Sequence, residues 1–333
     1  MKSASSSRLK IVTIGGGTGS SILLRGLKRY AYRLDITAIV TVFDDGGSSG
    51  RLSEEFGVPA LGDIRRCIAA LLPESEKTAT LDSMLGHRFT SGGPLNDHSL
   101  GNMMLLGVWQ KYGSLARAVE EWVGDFGLLG DVIPVSDRPA RVCAILEDGT
   151  MIRGETQLGA QNQALFGSSH VYLEPRVAAN SAALEALDQA QIVVLCPGDL
   201  FTSVIPNLLP EGVSDALNAS SAKILQVSNT TFKSGEDGGY VASDFVATVN
   251  RYLNSSLDED FGTPRGVDAM IVNVFDPHSA MVPDAIPTDA RIYEQVETVL
   301  SRSLSHASDR RVHDADKLGA AVMEYVDAAI SQH

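Results

Sequence analysis

Five residues, Gly15-Gly16-Gly17-Thr18-Gly19, follow a short apolar run at 9–14 and precede a helical pattern that reaches about residue 30. Glycines let backbone N–H groups close on an anion, and the helix N-terminus behind them adds positive potential. The chemistry available to Gly16, Gly17, Thr18 and Gly19 is therefore to hold a phosphate. Ser20 stands where a dinucleotide fingerprint has its third glycine. No Gly-Lys-[Ser/Thr] follows, so the segment is not a Walker A loop. A tight strand-to-helix turn with no ligand is the plainer reading.

Asp44-Asp45 ends a second apolar run, 36–43, about where a dinucleotide fold places its ribose-binding acid. This keeps an NAD-binding module open. The continuation Gly46-Gly47-Ser48-Ser49-Gly50-Arg51 is a second anion-friendly loop, which an NAD domain does not need. Two adjacent acids before small donors also suit a magnesium ion beside a nucleotide diphosphate, with Asp44 and Asp45 as its ligands. The alternative is a solvated acidic turn. Gly62-Asp63-Ile64-Arg65-Arg66 sets an acid at a helix start, as an N-cap or a ligand contact, with Arg65 or Arg66 able to grip a phosphate in bidentate fashion.

Asn96-Asp97-His98-Ser99-Leu100-Gly101-Asn102 precedes an apolar helix. His98 can donate to a phosphate or act as a general acid, and Ser99 and Asn102 can hold polar ligand atoms; a capping turn is the structural alternative. Gly198-Asp199 with Thr202 and Ser203 joins a buried strand to a helix and offers further hydroxyls and free amides, or a plain cap. Cys196 has no base placed beside it and reads as a strand residue rather than a nucleophile.

These segments need elements to position them. Strands are expected at 9–14, 36–43, 192–195, 223–227 and 269–274. Helices are expected from Ser20-Ser21 as N-caps, then at 63–72, 101–111, 115–123, 181–189, within 202–217, and at 243–253. The alternation predicts an α/β protein, a Rossmann-like three-layer α/β/α fold with a mostly parallel sheet. Asp148-Gly149 between two apolar runs predicts a hairpin, so a small antiparallel β insertion is expected over about 130–175. Residues 277–289 read as a loop. A single domain over 1–333 is expected, with a C-terminal helical tail over 290–333 carrying an amphipathic helix at 314–330. Four polar or glycine-rich loops, 15–20, 44–50, 196–203 and 228–239, follow candidate strands and converge on one edge if those strands are parallel.

Composition bounds the partners. Of 333 residues 41 are acidic and 27 basic, a formal charge of −14, which argues against broad binding to nucleic acid or an anionic membrane. Hydrophobic residues at 44% give an ordinary globular balance, so wholesale disorder is not expected. Three scattered cysteines make no disulfide framework and fit a cytoplasmic location. No stretch approaches 18 apolar residues, so no membrane span is expected. A homo-oligomer and a protein partner stay open.

Together the segments resemble one family, that of the gluconeogenesis factor and 2-phospho-L-lactate transferase. The matching runs are Ile14–Gly19, Thr41–Leu52, Gly62–Arg65, His98–Asn102, Pro197-Gly198 with Thr202-Ser203, and 206–209, with a weaker match from Ser234-Gly235-Glu236 to Ser243-Asp244. They cover about residues 9–250. The resemblance implies a nucleotide or nucleotide-sugar pocket, to which Asn229 also belongs. The Asp44–Gly50 form is similar to the gluconeogenesis factor branch. That branch implies UDP-sugar binding, with UDP-N-acetylglucosamine leading, and a regulatory role in cell-envelope growth and cell shape on gluconeogenic carbon. The other branch implies a magnesium-dependent transferase of coenzyme F420 biosynthesis, which moves a phospholactyl group from a guanylylated donor to a deazaflavin alcohol. Asp45 would then contact acceptor or metal as the catalytic residue. Asn96-Asp97, Asp199, Phe201 and residues 228–233 depart from the branch pattern. Asp199 adds a carboxylate that would repel a phosphate unless a metal or an arginine intervenes.

Overall fold

The computed structural model describes residues 8–90, 92–160, 165, 170–232, 240–255, 264–275, 282 and 284–331. The expected match at Ser234-Gly235-Glu236 and most of the 277–283 stretch lie outside them.

β1 (Leu9–Gly15) is apolar on both faces and pairs in parallel with β2 (Leu34–Val40) on one side and β7 (Ile192–Leu195) on the other. With β3 (Asp131–Pro134), β8 (Lys223–Val227), β9 (Ala269–Asn273) and β10 (Thr298–Arg302) it builds a seven-stranded parallel sheet in the order β10-β9-β8-β7-β1-β2-β3. The near-continuous apolar strands suit burial on both faces: Ile11, Ile14, Val193, Val194 and Ile271 are fully buried. The chain runs outward from β1 in one direction and from β7 in the other. The boundary between β1 and β7 is thus the switch point, outside whose carboxyl ends a crevice opens. Right-handed crossovers place α1 (Gly17–Leu27) on one face and, after the reversal, α9 (Val213–Ala219) and α10 (Ala242–Leu253) on the other, which gives the expected three layers.

The remaining helices are α2 (Gly47–Phe56), α3 (Gly62–Leu71), α4 (Glu76–Gly86), α5 (Leu100–Tyr112), α6 (Leu115–Val123), α7 (Glu155–Gly159), α8 (Ser181–Gln189), α11 (Ile292–Gln295) and α12 (Ala315–Ile330). A second, antiparallel sheet has the order β5 (Met151–Arg153), β4 (Arg141–Ile145), β6 (His170–Glu174). Its hairpin turns at Asp148-Gly149, where Asp148 accepts from the Thr150 amide at 2.8 Å. No helix among the described residues is long and apolar enough to cross a membrane.

Several boundaries differ from expectation for identifiable reasons. The apolar run at 36–43 leaves the sheet after Val40, because the Val42 carbonyl turns to accept from Ala60 N at 2.9 Å. α1 starts three residues before Ser20, with Gly16 at its N-cap. Ser20 is buried and Ser21 Oγ donates to the Thr18 carbonyl instead of capping. The 44–50 loop is already helical from Gly47. Asp63 lies in the first turn of α3 rather than at its N-cap, which is Leu61. The antiparallel insertion begins at Arg141, not 130, because β3 joins the parallel sheet as an edge strand, where Pro134 lacks an amide the ladder does not need. The helix expected within 202–217 is α9, which starts only at Val213; before it a π turn (Leu200–Val204) and a 3-10 turn (Ile205–Asn207) stand around Pro206, which has no N–H to continue an α-helix. The 290–333 tail contributes β10 to the sheet edge before its helix.

Candidate functional site

The loops after β1, β2 and β7 converge, joined by Asn229 from the described start of the loop after β8, and they enclose a cleft of about 500 Å³ at the switch point. Its floor is the glycine loop. Gly17 has φ +67°, the left-handed region that costs other residues strain, and a Cβ there would meet open space. Gly19 lies so close to the β7 loop that a Cβ would collide with the Pro197 carbonyl. The two glycines thus serve different needs, one conformational and one steric.

Asp63 braces the loop from below. The Gly17 amide donates to its carboxylate, and Arg66 Nη1 donates to its Oδ1 at 2.6 Å. Burial raises the Asp63 pKa, against the pull of Arg66. Asp44 accepts from Gly46 N at 2.8 Å and is also raised, by burial first and then by Asp63. Asp199 is an N-cap: its Oδ1 accepts from Phe201 N at 3.1 Å and Thr202 N at 2.9 Å. The added carboxylate is therefore spent on its own turn, which weakens the repulsion expected of it. Asn229 Nδ2 donates to the Gly198 carbonyl at 2.9 Å and sets the edge of the same cleft.

Three ionisable lining residues, Glu155, Arg311 and His313, were not found from the sequence. Glu155, half-buried at the start of α7, has its pKa pushed up to about 7 by burial and then by Asp44, against a lowering hydrogen bond to Thr202. His313 Nε2 lies 3.1 Å from the Ser228 carbonyl, which only accepts, so the proton is on Nε2. Burial draws the His313 pKa down to about 4, and the ring is neutral. Arg311 is exposed at the rim. None of the three belongs to a local motif. Glu155 lies 110 residues from Asp45 in sequence and reaches the cleft only because the insertion folds back.

The sequence-predicted residues divide into three groups. Gly16, Gly17, Thr18, Gly19, Asp44, Asp63, Gly198, Asp199, Thr202, Ser203 and Asn229 line the cleft. Asp45, Gly47 and Arg51 line a separate chamber of about 880 Å³ between α2 and the antiparallel sheet, which shares Asp44 with the cleft. Gly46 is committed to the Asp44 turn.

The third group is buried scaffold. The Ser48 hydroxyl accepts from Asn102 Nδ2 (3.2 Å) and the Ser99 amide (3.4 Å), so its own proton goes to His98 Nδ1 at 3.0 Å. Burial lowers the His98 pKa, and the ring is neutral. Ser99 caps α5, and Ser49 Oγ accepts from Gly62 N at 3.0 Å. Arg65 donates to Asn102 Oδ1 (3.1 Å) and the Leu85 carbonyl (3.4 Å), and burial pulls its pKa to about 10. The cationic lining residue from this helix is Arg66, not Arg65. The network clamps α2, α3 and α5 behind the site.

The acid pair does not form a ready chelate. Asp44 turns to Gly46, and Asp45 Oδ1 accepts from Thr156 N and Oγ1. Among the described residues no three His, Cys, Asp or Glu gather in a way that could hold a metal ion. The cysteines are free and buried, and burial pushes the Cys196 thiol up to about 11, which leaves no reactive thiolate.

Residues 11–305 match the family described as 2-phospho-L-lactate transferase CofD. A gluconeogenesis factor of Halalkalibacterium halodurans is 39% identical over 251 residues, 75% of this chain and 76% of that protein. A gluconeogenesis factor of Bacillus subtilis is 32% identical over 330 residues, 95% and 97% of the two chains. An X-ray structure of a Bacillus halodurans protein superposes with a TM-score of 0.82 at 32% identity, covering 95% of this chain and 99% of that one. The family match reaches every strand of the main sheet and ends before Arg311 and His313 of the cleft, and the chain belongs to the CofD family, among relatives named gluconeogenesis factor.

Proposed function

We propose that this protein is a cytoplasmic regulatory protein that binds a nucleotide sugar, UDP-N-acetylglucosamine or a close analogue, and links its level to cell-envelope growth and cell shape on gluconeogenic carbon. The observation that carries the reading is the juxtaposition of the glycine loop, at the N-terminus of α1, with Arg66 and Arg311 in one cleft at the switch point. A diphosphate there would meet amide donors, a helix terminus and two guanidinium groups. The acids around it are partly offset: Asp199 Oδ1 is taken up by the amides of its own turn, Asp63 is paired with Arg66, and Glu155 is pushed up to about 7. The name carried by the relatives supports the gluconeogenic link.

A second reading, a phospholactyl-type transferase acting with magnesium, is favoured by the family model's own description. Against it, Asp45 is engaged with Thr156 and lines the chamber rather than the cleft. The third reading, an NAD module, needs a glycine where Ser20 is buried against Cys196.

A thermal-shift panel separates the three, because a ligand selective for the native state raises its stability by about 2.7 kcal/mol at a hundredfold excess over Kd. UDP-sugars should raise the melting temperature, GDP with magnesium and NAD should not. Release of GMP from a phospholactyl-guanosine donor in the presence of a deazaflavin alcohol would promote the transferase.

A further inference from the structure

The chamber beyond Asp44 is larger than the cleft, about 880 Å³ against about 500 Å³. The wall between the two is thin. Asp44 faces both, while Gly154 lines the chamber and Glu155, the next residue, lines the cleft. Asp45 fixes this wall through Thr156, and a Cβ on Gly154 (φ +99°) would run into Asp45 Oδ2. The two cavities meet at Asp44, so a ligand seated on the glycine loop and extending past Asp44 would reach the chamber.

The chamber's chemistry narrows what it can take. Arg51, Arg141 and Arg153 are interspersed with Glu54, Asp97 and Glu174 around its rim. Among the described residues its one aromatic lining residue, Phe43, is only 2% exposed, so no described aromatic ring is presented to a ligand there. A hydroxyl group both donates and accepts, and a lining of mixed guanidinium and carboxylate groups satisfies several at once. Two of the cations already have partners. Arg51 Nη2 donates to the Asn96 carbonyl at 2.8 Å, and Arg153 pairs with Glu174 at 3.3 Å. The Arg141 guanidinium, on β4, has no hydrogen-bond or ion-pair partner among the described residues.

We infer that the chamber is a carbohydrate subsite, which takes the hydroxyl-rich sugar attached to the diphosphate, with Arg141 as its leading side-chain contact. The inference rests on the nucleotide reading, since the sugar arrives tethered to the nucleotide. It also makes the antiparallel insertion the part of the fold that sets sugar preference.

Calorimetric titration of the full chain with UDP and with UDP-N-acetylglucosamine tests it, in wild type, Arg141→Ala and Ala140→Trp. Arg141 is exposed, and Ala140 lines the chamber just before β4, where a tryptophan would fill the space. Both variants should lose about tenfold in affinity for the sugar nucleotide and stay within about twofold of wild type for UDP. Equal losses for the two ligands, or no loss in either variant, overturn the carbohydrate subsite and leave the nucleotide reading standing. Failure of UDP to bind the wild type overturns both.

Discussion

Asp45, in the loop after β2, and Thr156, in the first turn of α7, are joined twice across 111 residues of sequence. Asp45 Oδ1 accepts from the Thr156 amide at 2.9 Å and from its hydroxyl at 2.7 Å. This pair fastens the antiparallel insertion to the site edge of the parallel sheet. It also decides which acid faces the cleft: Asp45 is held at the wall, and Glu155 is carried to the cleft side. Asp45 is thus a positioning residue in this fold.

Asp45→Ala should lower stability by about 1–2 kcal/mol, the usual worth of a lost cap with a charged acceptor. Asp45→Asn keeps one acceptor oxygen and should cost less. Urea denaturation measures both, and amide exchange at Thr156 should quicken in the alanine variant. An unchanged midpoint with slow exchange at Thr156 would refute the positioning role.

The adjacent arginines of α3 should respond differently. Arg65→Ala removes a buried cation bonded to Asn102 and Leu85, and should destabilise by about 3 kcal/mol. Arg66→Gln keeps a donor for Asp63 and removes the charge that lines the cleft. It should leave the melting curve nearly intact and weaken UDP binding by about tenfold. The reverse pattern would place the phosphate contact on Arg65.

Glu155 predicts a pH dependence whose sign is fixed by its raised pKa. Its ordinary value is 4.5 and its value in the fold is about 7. Between those values the native state holds a proton that the unfolded chain has lost, so stability falls as pH rises through this window. Glu155→Gln should stabilise the protein at pH 8 by about 2 kcal/mol, allowing for solvent screening at a half-buried group, and have little effect at pH 5. The affinity of wild type for a UDP-sugar, whose diphosphate diester does not titrate here, should fall from pH 6 to 8, and the glutamine variant should flatten that slope. Parallel slopes in the two proteins would remove Glu155 from the cleft's electrostatics.

The two glycine loops separate in the same way. Gly17→Val should weaken binding of UDP itself, because Gly17 lines the cleft, whereas Gly47→Val should spare UDP, because Gly47 lines the chamber. Both positions have positive φ, so each variant also carries strain of about 1–2 kcal/mol. Equal loss of UDP binding in both would contradict the division into two compartments.

Local patterns made the strands and the glycine loop readable. The runs at 192–195 and 223–227 match β7 and β8 residue for residue, because strands buried on both faces are largely apolar, β8 carrying only Lys223 and Gln226 as exceptions. Convergence of the loops after β1, β2 and β7, with Asn229 after β8, followed from parallel pairing alone. Long-range contacts were not readable. Ser48, Arg65, His98 and Asn102 have the residue types of a binding site, yet they bond to one another behind it. Glu155 and Arg311 stand in no motif, and tertiary folding alone brings them to the cleft. Pro134 closes an edge strand of the main sheet, although its surroundings read as part of the insertion.

On the function proposed above, the switch-point cleft holds the diphosphate of a uridine nucleotide sugar. Amide hydrogen exchange with and without saturating UDP-N-acetylglucosamine tests it most directly, because it reports binding and place together. Exchange should slow at residues 16–20 of the glycine loop and N-terminal turn of α1, and at 198–203 after β7. No protection at millimolar ligand, or protection confined to residues away from these two segments, would contradict it.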